Sequence, residues 1–125
     1  MTIPIVRVPI HTVSESNSRD HWRKRAARAK EQRFAVDACL RTTLGPNHGP
    51  VLMECFVELE VLLTRVSPRE LDDDNLRGAL KAARDSVAQY LGLKSDRDKR
   101  VSWAYAQERG AKREYAVEIR MERRK

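Results

Sequence analysis

A chain of 125 residues suits one domain, here taken as 1–125, and leaves little room for two. Its 25 Lys+Arg against 18 Asp+Glu leave a net charge of +7, a balance that favours a polyanionic partner, with nucleic acid the commonest. No run approaches the ~18 apolar residues of a membrane span, no signal-peptide pattern opens the chain, and Cys39 and Cys55 lack metal-ligand spacing, so a soluble protein of the reduced cytoplasm is expected, without membrane contact.

The opening TIPIVRVPI alternates β-branched residues with others and predicts a strand, its prolines suiting a sheet edge. HTVSESNSRD reads as loop. From Asp20 to Leu44 the composition favours helix, with Trp22, Ala26, Ala29, Val36 and Leu40 as a thin apolar stripe. GPNHGP breaks the chain. From Val51 to Leu63 every second residue is apolar, which predicts a strand with one buried face, long enough to be central in its sheet or to run past its neighbours, and Glu58 and Glu60 facing solvent. Leu76, Leu80, Ala83, Val87 and Leu91 make a helical stripe over 73–91, stopped at Gly92. VSWAY and YAVEIRM alternate on either side of ERGAK and predict a β-hairpin. The order β-α-β-α-β-β defines an α+β domain, a small mixed or antiparallel sheet with two main helices.

One feature runs against the charge: Asp72, Asp73 and Asp74 stand together where the second helix begins. Two readings are open. Asp is a favoured N-cap, and acids in a first turn complement the helix dipole. Three adjacent carboxylates also suit a hard cation, which binds through a few carboxylates and takes phosphate oxygens as well. At ~100° per residue, Asp74, Gly78, Lys81 and Asp85 share a face opposite the leucine stripe. Asp96 and Asp98 lie in the loop beyond the helix, and a strand running back beside the helix start brings one of them to the cluster.

The stretch LDDDNLRGALKAARDSVAQYLGLKSDRDKRV resembles the RusA family of Holliday-junction resolvases, whose core reads D-x-D-N-L, a helix, then a G-L step and an acidic loop. The likeness covers residues 66–121 and extends more loosely to a polar loop at Ser16–Asn17 and the basic helix. It implies a homodimeric, Mg²⁺-dependent endonuclease, with Mn²⁺ able to substitute, that cuts four-way DNA symmetrically in recombination and repair. Carried over by position, it implies Asp72 and Asp74 as the first two metal ligands and Asp96 as the third, with Asp98 the runner-up. Asp73 is expected to point away. Where the family often has a lysine, four residues after the second aspartate, this chain has Gly78; Lys81, one turn on, is the expected stand-in among the catalytic residues. Such small basic resolvases often belong to phages or prophages, which implies the cytoplasm of a bacterial host.

Arg23, Lys24, Arg25 and Arg28 on the first helix, with Arg77, Arg84, Arg97, Lys99 and Arg100, are the candidate phosphate contacts, the alternative being a solvated helix face. Trp22 and Trp103 are expected to pack in the core rather than stack on bases. His11, His21 and His48 have no ligand spacing. Two rival functions stand beside the resolvase: a non-catalytic basic DNA-binding protein, its aspartates serving as cap and solubility patch, and a nuclease for other branched DNA.

Overall fold

The computed structural model describes residues 2–14, 21–56 and 58–124. Expectations for Ser16, Asn17, Asp20 and Val57 lie outside them. The elements run β1 (Val6–Val8), α1 (Trp22–Leu44), α2 (Gly49–Cys55), β2 (Leu59–Ser67), α3 (Asp73–Ala79), α4 (Lys81–Tyr90), β3 (Val101–Arg109) and β4 (Ala116–Arg123). The class is α+β with a mixed sheet, ordered β1-β4-β2-β3.

β2 occupies the interior of the sheet, one of the two placements its length allows, and β1 an edge, as its prolines imply. The remaining connectivity differs from expectation. β2 pairs parallel with β3 and antiparallel with β4, and β4 also pairs antiparallel with β1. The expected hairpin is therefore absent, because β2 lies between its two arms. Alternation records which face of a strand is buried and carries no information about which strand lies beside it.

One sheet face carries the core. Leu59, Val61 and Leu63 of β2 are buried, as are their cross-strand neighbours Met121 and Ile119 of β4. Trp103 and Tyr105 sit beside Val61 and Leu63 in the parallel register and so belong to the same face. Glu118, Arg120 and Glu122 occupy the other face of β4, where alternation predicts solvent. α1 packs on α4 and β1.

The sequence-predicted strand over 51–63 begins too early, since 49–55 is helical. Pro50 stands in the first turn of α2, where its missing N–H costs nothing. Adjacent Leu52 and Met53 are buried while Val51 is 42% exposed, a helical phase that three alternating residues imitated. Gly49 admits this packing: a Cβ there would lie 1.9 Å from the Tyr90 carbonyl oxygen. The predicted helix over 73–91 is two helices meeting at Leu80, and its five stripe residues are all buried. It ends as expected. Gly92, at φ 80°, donates to the Gln89 carbonyl and Leu93 to that of Ala88, both at 3.0 Å, the paired bonds of a glycine C-terminal cap.

α1 corrects the apolar stripe. Val36 and Leu40 are buried, but Ala26 is exposed and Trp22 is 60% exposed. The first buried residue of α1 is Gln32, whose side chain donates to the His11 carbonyl. The helix thus runs beyond the layer that α4 covers, and its first turns stand in solvent.

Candidate acidic site and its basic surround

β2 delivers the chain to the acid turn, and three side chains brace that turn. Arg65 continues the buried phase of β2 and is 5% exposed. Its guanidinium donates to the Arg69 carbonyl (2.7 Å), to Thr12 Oγ1 (3.0 Å) and to the Thr12 carbonyl (3.2 Å). Burial lowers its pKa from the ordinary guanidinium value. The Gln107 amide donates to the Leu71 carbonyl (2.6 Å) and accepts from the Leu71 N–H (2.8 Å). Ser14 donates to Asn75 Oδ1 at 2.6 Å.

Between these braces Asp72 is extended (φ −70°, ψ 169°) and caps α3, its carboxylate accepting the Asn75 N–H at 2.9 Å. Capping thus explains one of the three acids. Asp73 and Asp74 are exposed in the first turn, and Leu76 and Leu80 anchor the turn to the core.

The other candidate acids are held by arginines. Asp96 Oδ2 lies 2.7 Å from Arg84 Nε, an ion pair by distance without hydrogen-bond alignment. The Asp96 carbonyl accepts from Trp103 Nε1 (2.8 Å) and Arg84 Nη2 (3.3 Å). Asp98 accepts from Arg100 three times: from the backbone N–H at 2.9 Å, from Nε at 3.0 Å and from Nη2 at 2.8 Å. Those side-chain and backbone bonds lower its pKa to about 2. Lys81 is 70% exposed and 3.5 Å from Asp85. Together with Gly78 and Asp85 it faces a groove lined by Ala29, Gln32 and Arg33 of α1.

A cleft of about 430 Å³ opens between α3, α4 and β3, lined by Asp73, Leu76, Arg77, Arg84 and the edge-strand residues 103–105. The middle aspartate, expected to point away, therefore shares this cleft with the arginine that holds Asp96. Arg84 lies over the Trp103 ring (4.8 Å to its centroid), and its Nη1 donates to the Tyr105 hydroxyl at 2.6 Å. Arg77 lies over the Tyr105 ring at 5.7 Å. Trp103 packs against the core, as expected, but is only half-buried and also lines this cleft.

In kind, these oxygen donors fit a hard divalent cation. In position they fall short: among the described residues no three His, Cys, Asp or Glu side chains are grouped to hold an ion. Arg23, Lys24, Arg25, Arg97 and Lys99 are exposed, and Arg28 is half-buried. No described helix is long and apolar enough to cross a membrane. Cys39 and Cys55 are free thiols.

Sequence reasoning missed Arg65, Gln107 and Ser14. Arg65 had a legible signal, a charge in the apolar phase set by Leu59, Val61 and Leu63. Ser14 had none. No protein-family model matches the chain, and no curated protein matches it.

Proposed function

We propose that the chain is a metal-dependent endonuclease for branched DNA, of the RusA type, working as a homodimer on four-way junctions. The observation that carries this reading is the acid turn of Asp72, Asp73 and Asp74, braced by Arg65, Gln107 and Ser14 within a chain of net charge +7. A helix cap uses one acid and needs no such bracing. All three carboxylates are exposed, the capping Asp72 included, and acids held at a fixed point of a basic surface suit a centre that meets phosphate.

The roles divide by chemistry. Arg23, Lys24 and Arg25 on the solvated turns of α1, with Arg77, Arg97 and Lys99, contact the DNA backbone and give binding a steep salt dependence. In this reading Asp72 and Asp74 would hold a Mg²⁺, with Asp96 or Asp98 as the further ligand, and Lys81 is the candidate cationic side chain on that face. A divalent cation bound there supplies Lewis acidity to the scissile phosphate. Arg84 and Arg100 neutralise the loop acids, so either carboxylate would have to part from its arginine to serve as a ligand. Symmetric resolution needs two cuts, hence two copies of the chain.

The second reading, a non-catalytic DNA-binding protein, is favoured by one observation: the loop acids are already paired with arginines. Incubating a synthetic four-way junction with the protein in Mg²⁺ and in Mn²⁺ separates the two. Paired symmetric nicks, lost in Asp74→Asn, support the nuclease. A junction that is bound and left whole in both metals refutes it. Asp72→Asn adds a control, because asparagine also caps helices: lost cleavage with an unchanged melting temperature assigns Asp72 a role beyond the cap. A panel of flaps and three-way junctions distinguishes four-way specificity from general branch cleavage.

A further inference from the structure

We infer that the cleft between α3, α4 and β3 binds a single unpaired nucleotide of a DNA strand, its phosphate drawing Arg77 off the Tyr105 ring and its base lying against that ring and the Arg84 guanidinium stacked on Trp103. The inference deepens the branched-DNA reading and rests on it for the identity of the polymer. Its chemistry stands on the cleft itself.

Each aromatic ring of the cleft carries a guanidinium, Arg84 over Trp103 and Arg77 over Tyr105. Two aromatic rings and two guanidiniums line one opening of about 430 Å³, within the ~300–1,000 Å³ of small-ligand sites. Rings and guanidinium planes stack on any nucleobase, because every base has a π face. In a duplex both faces of a base are covered by its neighbours, so only a base out of the stack can use such walls. The opening suits one nucleotide, whereas a duplex groove needs an extended surface.

The cations of the cleft differ in what they have left to offer. Arg84 is committed to Asp96 and to the Tyr105 hydroxyl. Arg77 is exposed and makes no ion pair among the described residues, lying only over the Tyr105 ring. It is the group free to meet a phosphate. Asp73 supplies a hydrogen-bond acceptor at the same opening, suited to an exocyclic amino group. Bases bearing such a group (adenine, cytosine, guanine) gain over thymine.

Arg84 adds a link to the acid turn. It holds Asp96 and forms part of the cleft wall, so a nucleotide lodged there lies beside the acids proposed for the reaction. At an open crossover the last base pair of each arm lacks one stacking neighbour, so freeing a base there costs less than within a duplex, which makes the cleft a means of recognising the branch itself.

Trp103 is one of two tryptophans, and Trp22→Phe leaves it as the sole reporter. In that background, without divalent cations and at fixed salt, Trp103 emission is titrated with a 15-nucleotide single strand and with a blunt 15-base-pair duplex. The single strand quenches Trp103 saturably and several-fold more tightly than the duplex. Arg77→Gln weakens that binding by about tenfold, the scale of one stacked, charge-assisted contact. Tyr105→Leu does the same where its melting curve matches the parent. Arg77 is exposed, so its variant alone decides if Tyr105→Leu fails to fold. Equal quenching by duplex, or single-strand affinity unchanged in Arg77→Gln, overturns the inference. A protein that cleaves junctions yet gives no single-strand quenching loses the cleft and keeps the nuclease reading. Single-strand quenching without cleavage of any junction keeps the cleft and loses the nuclease.

Discussion

The side-chain amide of Gln107 pairs with both backbone groups of Leu71, donating to its carbonyl at 2.6 Å and accepting its N–H at 2.8 Å. It acts as one rung of strand for a segment that belongs to no strand, fixing the residue before Asp72 to the sheet edge. Gln107→Leu removes both partners from a half-buried peptide. The expected cost is about 1–3 kcal/mol, the range for stranded polar groups, read by urea denaturation. Hydrogen exchange at the Leu71 amide rises in the variant while that at Leu63 in β2 tracks global stability only.

Two glycines make opposite predictions. Gly49→Ala forces a methyl group to within 1.9 Å of the Tyr90 carbonyl oxygen, a clash of backbone with backbone. Destabilisation of at least about 2 kcal/mol is expected, in the upper range for overpacking. Gly78 has open space around its added carbon and sits in α3. Gly78→Ala is expected to stabilise by about 0.5–1 kcal/mol through helix propensity. Thermal melts of both variants test the pair.

Asp98 titrates at about 2 because its carboxylate accepts hydrogen bonds from Arg100, with the side-chain bonds contributing most. Its pKa is depressed on folding, so its contribution to stability is present above the unfolded value of 3.8 and is lost as pH falls through about 2. The Asp98 carboxyl resonance followed by NMR is expected to show that midpoint. In Arg100→Gln the midpoint rises toward 3.8, and the acid arm of the stability curve flattens.

The solvated start of α1 makes a prediction of its own. Arg23, Lys24 and Arg25 are exposed, and no residue of α1 before Gln32 is buried. Changing all three to Gln leaves the melting temperature within a degree or two. If they bind phosphate, the slope of log Kobs against log[salt] falls by about 0.9 for each phosphate no longer neutralised, or about 2.7 for all three. Fluorescence anisotropy across a salt series measures it, and an unchanged slope returns these residues to the role of a solvated helix face.

Burial was legible in the sequence wherever a period was long enough. The leucine stripe from Leu76 to Leu91 and the alternation over Leu59, Val61 and Leu63 each mark the face that is buried. Neighbourhood was not legible. VSWAY and YAVEIRM are both strands, yet β2 separates them, since pairing is decided by the whole sheet rather than by a turn sequence. Short segments misled most: Val51, Met53 and Cys55 alternate within a helix of seven residues. In the site, Asp72 could be read as a cap from its place before an apolar run. That Arg84 holds Asp96, and that Asp73 lines the cleft, depends on how α3, α4 and β3 come together in space, which no local pattern encodes.

The placement of β4 has a consequence for how the protein comes into being. β4 lies between β1 and β2, and its register joins Val6 to Ile119. During synthesis at about 5–20 residues per second, β1 has no strand beside it until more than a hundred residues have followed. The parallel pair β2 and β3 is complete earlier, by Arg109, but still presents Val61 and Leu63 along an open edge. Until β4 is available the β2–β3 pair has an exposed seam, and the sheet closes when β4 enters the gap between β1 and β2. A chain that stops short of Ala116 leaves that seam for other chains to fill, so truncated products are expected in the aggregate rather than in the supernatant.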